Sequence, residues 1–106
     1  MAGQQASGLV DFGYLEGFAA GDRQVVSEVL QLFLQQADLW NDGLVEDNPG
    51  WGDLVHTIKG AARGVGANAL GDVCARAEAE GPQATQAVRE ALAATVADVA
   101  AYQSRD

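Results

Sequence analysis

Between Asp22 and Leu44 the apolar residues Val25, Val29, Leu30, Phe33, Ala37, Trp40 and Leu44 recur at helical spacing, while Gln31, Gln35 and Asp38 fall off that line. This is the period of an α-helix with one buried face; a strand, which alternates at every second residue, would scatter these side chains over both faces. A stripe of this length has to be covered, and the remaining sequence offers other helices to cover it.

Asp11 reads as the N-cap of a short helix carrying Phe12, Leu15 and Phe18, interrupted at Gly21, and Asp22 as the cap of the long helix. Asp47-Asn48-Pro49-Gly50 breaks the long helix and starts a third one, from about Trp51 to Val65, with Asn48 accepting a backbone N–H and Pro49 tolerated in the first turn. Gly66 ends that helix. Asn68 is expected to cap a fourth, through Leu70, Val73, Cys74 and Ala77, until Gly81-Pro82 stops it. Residues 83–103 read as a fifth, with Val88, Ala91, Leu92, Thr95, Val96, Val99 and Tyr102 on one side and Arg89 and Glu90 turned away. Short connections between such stripes predict an all-α fold, an antiparallel four-helix bundle with an additional short N-terminal helix. Residues 1–10, small and polar, are expected to form a flexible arm. Residues 11–106 are expected to form one helical bundle domain, fraying after Tyr102.

The chain has 106 residues, too few for a nucleotide-binding kinase domain beside the bundle, so any ATP chemistry must come from elsewhere. Its 15 Asp and Glu against 6 Lys and Arg give a formal net charge of −9, which repels phosphate backbones and anionic membranes. Nucleic acid and membrane are therefore not expected as partners. The single cysteine, Cys74, rules out an intramolecular disulfide and a thiol-rich zinc cage. With no apolar segment of transmembrane length and no signal-like start, a cytoplasmic protein is expected.

The chain has one histidine, His56, in His56-Thr57-Ile58-Lys59-Gly60. On a wheel of about 100° per residue, Leu54, Ile58, Ala61, Ala62 and Val65 share one arc and His56 lies about 160° from its middle. His56 is thus expected to face away from the core, with Lys59, Gly60 and Arg63 on the same solvent side. Position alone would make it an ordinary surface histidine. Its surroundings suit transient phosphorylation: neutral imidazole is a nucleophile near physiological pH, Lys59 offers a cation for phosphoryl oxygens, and Gly60 removes bulk where a partner must approach. A glycine inside a helix costs about 1 kcal/mol relative to Ala, and for Gly60 and Gly64 core packing does not account for that cost. Because His56 lies well inside its helix, no helix N-terminus is available to hold the phosphate, and a side-chain cation must substitute.

His56-Thr57-Ile58-Lys59-Gly60, followed by Gly66-Ala67, Leu70, Cys74 and Glu78, resembles the histidine-containing phosphotransfer (HPt) family: H-x-x-K-G, then G-A-x-x-L, then C-x-x-x-E, across residues 56–78. The resemblance implies a four-helix bundle that relays a phosphoryl group between aspartates of receiver domains, or takes it from a hybrid histidine kinase by that route. It implies His56 as phospho-acceptor through the distal ring nitrogen, Lys59 as the group that stabilises phosphate, and Gly60 as the residue that keeps the site open. It also implies that the magnesium ion belongs to the receiver partner, so that the carrier needs no cofactor, and that the carrier works as a monomer. A glutamine of the neighbouring helix often lies near the histidine in this family, and Gln31, Gln35 and Gln36 are candidates. Ala77 stands where the family usually has a larger aliphatic residue.

Two other functions compete. A dimerisation and phosphoacceptor fragment of a histidine kinase would also carry a histidine on a helix, but such a histidine is usually followed by an acidic residue, and here Thr57 follows. A helical adaptor could bind a receiver without carrying phosphate. Arg63 is read as a solubilising charge, Cys74 as a small core hydrophobe, and Trp40 and Trp51 as packing residues. Asp47, Asp53, Glu78 and Glu80 have no ligand spacing with one another, so a metal site is not expected.

Overall fold

The computed structural model describes residues 9–105 and is all-α over them. Its helices are α1 (Phe12–Phe18), α2 (Arg23–Gly43), α3 (Trp51–Gly64), α4 (Asn68–Glu80) and α5 (Thr85–Gln103), with one 3-10 turn at Pro82–Ala84 ahead of α5. α3 packs on α4, α4 on α5, α5 on α2 and α2 on α3, so four helices close a ring around one core, and α1 docks on α2. Consecutive, tightly connected neighbours in such a ring run antiparallel, which makes this a four-helix bundle with a short added helix.

The connections are built by side chains that satisfy helix ends. Asp11 accepts from the Tyr14 N–H at 2.9 Å, and Asp22 from those of Gln24 and Val25 at 3.0 and 3.2 Å, so both aspartates cap as their positions suggest. Asn48 closes the α2–α3 turn by donating to the Gly43 carbonyl and accepting from the Gly50 N–H, each at 2.8 Å. α3 then begins at Trp51, so Pro49 lies ahead of its first turn rather than in it. At the far end of α3, Gly66 takes φ +83°, and the Gly66 and Ala67 N–H groups bond back to the Arg63 and Ala62 carbonyls at 3.3 and 2.7 Å. That double return is the Schellman ending that favours glycine. It leaves α4 to start without a side-chain cap: Asn68 is its first residue, and buried Ala67 occupies the cap position expected for Asn68.

The core is lined by Val26, Leu30, Phe33, Ala37, Trp40 and Leu44 from α2 and its end, by Trp51, Val55, Ile58 and Ala62 from α3, and by Leu70, Cys74 and Ala77 from α4; Val88, Leu92 and Val99 complete it from α5. The α2 stripe is thus turned slightly from the expected one: Val25, at its edge, is exposed and Val26 takes its place. On α3 the shift matters more. Val55, absent from the expected arc, is fully buried, whereas Leu54 and Ala61 are only half-buried. Phe18 is 76% exposed, because two-turn α1 buries only Leu15 fully. Phe12 instead stacks on Tyr102 of α5, whose hydroxyl bonds to Glu16.

Of the arm expected over residues 1–10, residues 1–8 lie outside the described part. Val10 is buried, which contradicts a free arm at that point. The cause is the Asp11 N–H, which donates to the Gly66 carbonyl at 2.8 Å and pins the entering chain to the α3–α4 turn. At the other end α5 runs to Gln103, whose side-chain amide donates to the Ser27 carbonyl of α2, so helical order persists to that residue. No helix among the described residues is long and apolar enough to cross a membrane.

Candidate functional site

α3 carries Trp51, Val55, Ile58, Ala62 and, just past its end, Val65 on the buried line, at successive spacings of four, three, four and three residues. Measured from that line, His56 lies about 140° round the helix and Lys59 only about 80°. The consequence is visible in their surroundings. The His56 side chain is 71% exposed, as expected, whereas that of Lys59 is 20% exposed and turns along the flank toward α4 instead of sharing the open face.

What Lys59 meets there is Glu78, from the last turn of α4. The Lys59 ammonium donates to Glu78 Oε1 at 2.5 Å, and His56 Nδ1 lies 2.9 Å from Glu78 Oε2. The bond from Lys59, and after it the one from His56, holds the Glu78 carboxyl below its usual value. An ionised carboxylate only accepts, so the hydrogen in the second bond belongs to Nδ1 of the imidazole. In the neutral ring this leaves the lone pair on Nε2, the nitrogen that is not tied to Glu78. Sequence reasoning had set Glu78 aside as an acid without ligand spacing; the one signal that pointed to it was its place in the C-x-x-x-E run. The α3–α4 turn and twenty-two positions of sequence separate it from His56, and only the packing of α3 on α4 brings them together.

A Cβ added at Gly60 would meet no atom within 4 Å, and the same holds for Gly64. Among the described residues no neighbour requires glycine at either position. Arg63 does more than solubilise: its aliphatic stem covers buried Gly71 of α4, where a Cβ would come within 3.0 Å of Arg63 Cγ, and its guanidinium lies 3.9 Å from Asp72. Gln31, Gln35 and Gln36 are all exposed on α2, and none is hydrogen-bonded to His56; the bond to the ring comes from α4. Cys74 is fully buried beneath this face, and burial foremost pushes its thiol up to about 11. Trp40 and Trp51 are both core residues. Among the described residues no group of three His, Cys, Asp or Glu side chains is arranged to hold a metal ion.

The family model of the Hpt domain matches residues 23–102, from the first residue of α2 to the penultimate residue of α5. The chain belongs to that family. The match spans the four-helix ring of this Hpt domain up to the penultimate residue of α5; α1, its link to α2 and the last four residues lie outside it. A crystal structure of the histidine phosphotransferase ShpA from Caulobacter crescentus is 58% identical to it, over 90% of each chain, with a TM-score of 0.81. Comparison with curated proteins gives no match. The resemblance first drawn on residues 56–78 thus extends over the bundle, and the exposed histidine, the tethered lysine and the open glycine all belong to its Hpt domain.

Proposed function

We propose that this Hpt domain is a phosphorelay carrier that takes a phosphoryl group from the aspartate of one receiver domain onto Nε2 of His56 and yields it to the aspartate of another. The observation that carries this reading is the state of the ring: the sole histidine is exposed in mid-helix, with Nδ1 tied to a carboxylate and Nε2 free. A neutral imidazole so held offers one nucleophilic nitrogen in one direction, which is what in-line attack on phosphorus requires.

In this reading Lys59 neutralises charge on the phosphoryl oxygens and Gly60 gives the partner surface room to bring phosphorus within reach of Nε2. Transfer between acyl phosphate and imidazole needs no nucleotide site on the carrier, and the magnesium ion that assists it would be held by the receiver. We read the protein as a monomer of the cytoplasm, where receivers and ATP-derived phosphoryl groups are found. The closed ring of four helices supports the monomer: a kinase dimerisation fragment would need a second chain to complete its bundle.

The test is a mixture of the purified protein with a phosphorylated receiver domain and magnesium. Label should appear on the protein as an acid-labile, alkali-stable adduct and vanish with His56→Ala. Label that persists in His56→Ala removes the reading, and binding without any transfer would favour the adaptor.

A further inference from the structure

Apart from His56, α3 carries three charged side chains, and two of them are paired with α4: Lys59 with Glu78 at 2.5 Å and, more loosely, Arg63 with Asp72 at 3.9 Å. The third, Asp53, is exposed, and no described residue pairs with its carboxylate. At about 100° per residue it lies about 60° beyond His56 on the side away from Glu78, one turn nearer the start of the helix. Residues so spaced have Cβ atoms about 5–6 Å apart. The reactive imidazole thus stands between a carboxylate neutralised by Lys59 and one neutralised by nothing.

Resting on the carrier reading above, we propose that Asp53 sets the balance of phosphoryl exchange: its unpaired carboxylate raises the free energy of loaded His56 and tips the carrier toward giving the group up.

Loading breaks the P–O bond of the receiver's acyl phosphate, leaves that electron pair on the receiver carboxylate and makes the N–P bond from the Nε2 lone pair; discharge reverses both. Asp53 takes no part in either bond. What it meets is charge, because a phosphoryl group carries about two negative charges at neutral pH and loading places them on its side of the helix. The cation of Lys59 is already shared with Glu78, so without Asp53 the fixed charges around the ring would cancel, and with it they are net negative. A unit charge facing two like charges across about 8 Å of water changes the equilibrium about fivefold, and salt at physiological strength cuts this to about twofold. The bias suits a relay. A site ringed with cations would hold the group as a sink, whereas a net negative one leaves it ready to depart.

An acid in the first turn also favours its own helix by facing the macrodipole, and α3 has no side-chain cap, so Asp53 contributes to stability whatever else it does. That role alone implies a lower melting temperature on its removal, with no change in how phosphoryl groups are shared among folded molecules.

The two roles separate when the protein and a receiver domain are brought to exchange equilibrium with magnesium and the label on each is counted at low and high salt. Asp53→Asn should shift the partition toward this protein by about two- to fivefold at low salt, the gap should close in about 0.5 M salt, and Asp53→Glu should stay close to the wild type. A second measurement needs no receiver. Protein loaded chemically with phosphoramidate carries its phosphoryl group on the sole histidine, and that 31P resonance should titrate at lower pH in Asp53→Asn than in the wild type, because a neighbouring anion disfavours the second ionisation. Asp53→Ser carries both comparisons if the asparagine variant loses its helical signal. A wild-type partition at low salt, or an unshifted 31P titration, overturns the proposal. A wild type that takes no label from the receiver would instead overturn the carrier reading, which keeps the two failures apart.

Discussion

The indole N–H of Trp51, at the start of α3, donates to Thr85 Oγ1, at the start of α5, at 2.8 Å in the buried end of the bundle. Thr85 in turn donates to the Pro82 carbonyl at 2.5 Å, so one hydroxyl ties the first turn of α3 to the 3-10 turn ahead of α5. Thr85→Val keeps the shape and strands a buried indole N–H, which should cost about 1–3 kcal/mol in urea unfolding. Thr85→Ser should recover most of the loss. A valine variant as stable as the wild type would mean that the hydroxyl contributes nothing there.

Gly60 should behave as a residue retained for something outside the fold. Since a Cβ there meets open space, Gly60→Ala should raise stability by up to about 1 kcal/mol through helix propensity. Larger side chains such as Gly60→Leu should leave the melting temperature near that of the wild type yet slow exchange with receivers. Unimpaired exchange by the leucine variant would remove the access role.

Gly66 should respond in the opposite way. Its φ of +83° is strained for any other residue, and a Cβ would sit 2.8 Å from the Asp11 carbonyl oxygen. Gly66→Ala should therefore destabilise by more than about 1 kcal/mol, measured by thermal or urea unfolding, with the effect on exchange limited to the fraction unfolded.

The pH dependence follows from Glu78. Its folded pKa is depressed, by Lys59 first and His56 second, so the stability it contributes is present above the ordinary glutamate range and disappears as pH falls through the lowered value. Melting temperatures taken from pH 7 down to pH 3 should fall less steeply for Glu78→Gln than for the wild type. Parallel curves would show that the carboxylate is not linked to folding.

Cys74 supplies an independent reading of the core. With its thiol raised to about 11 and no exposed surface, it should resist alkylation in the native protein and react at the rate of unfolding when urea is added. Rapid labelling without denaturant would show that α4 opens locally.

Much of the fold was legible because it rests on local rules. The α2 stripe, the capping aspartates and the endings at Gly66 and Gly81 are each decided within a few residues, and the orientation of His56 follows from the same periodicity. Val55 and Lys59 were misplaced for one reason: the buried line of α3 is defined jointly by α2 and α4, and a wheel drawn from α3 alone set it some tens of degrees toward α2. Trp51, Val55 and Ile58 mark the true line, which moves Lys59 from the open face to the flank. Glu78 was legible in kind but not in role, since pairing across helices depends on how far along α3 the last turn of α4 reaches. Asn68 failed as a cap because the ending of α3 already claims the backbone around Ala67.

The hydrogen bond from the Asp11 N–H to the Gly66 carbonyl fixes where the polypeptide enters the bundle. Gly66 is ten residues beyond His56, about 15 Å along the axis of α3. A fluorophore, an immobilising tag or a fused module attached at Leu9 would thus have its root at the turn end of the molecule, about 15 Å along α3 from the imidazole. Surface-tethered formats for measuring docking kinetics could be anchored on that side without spending the reactive face.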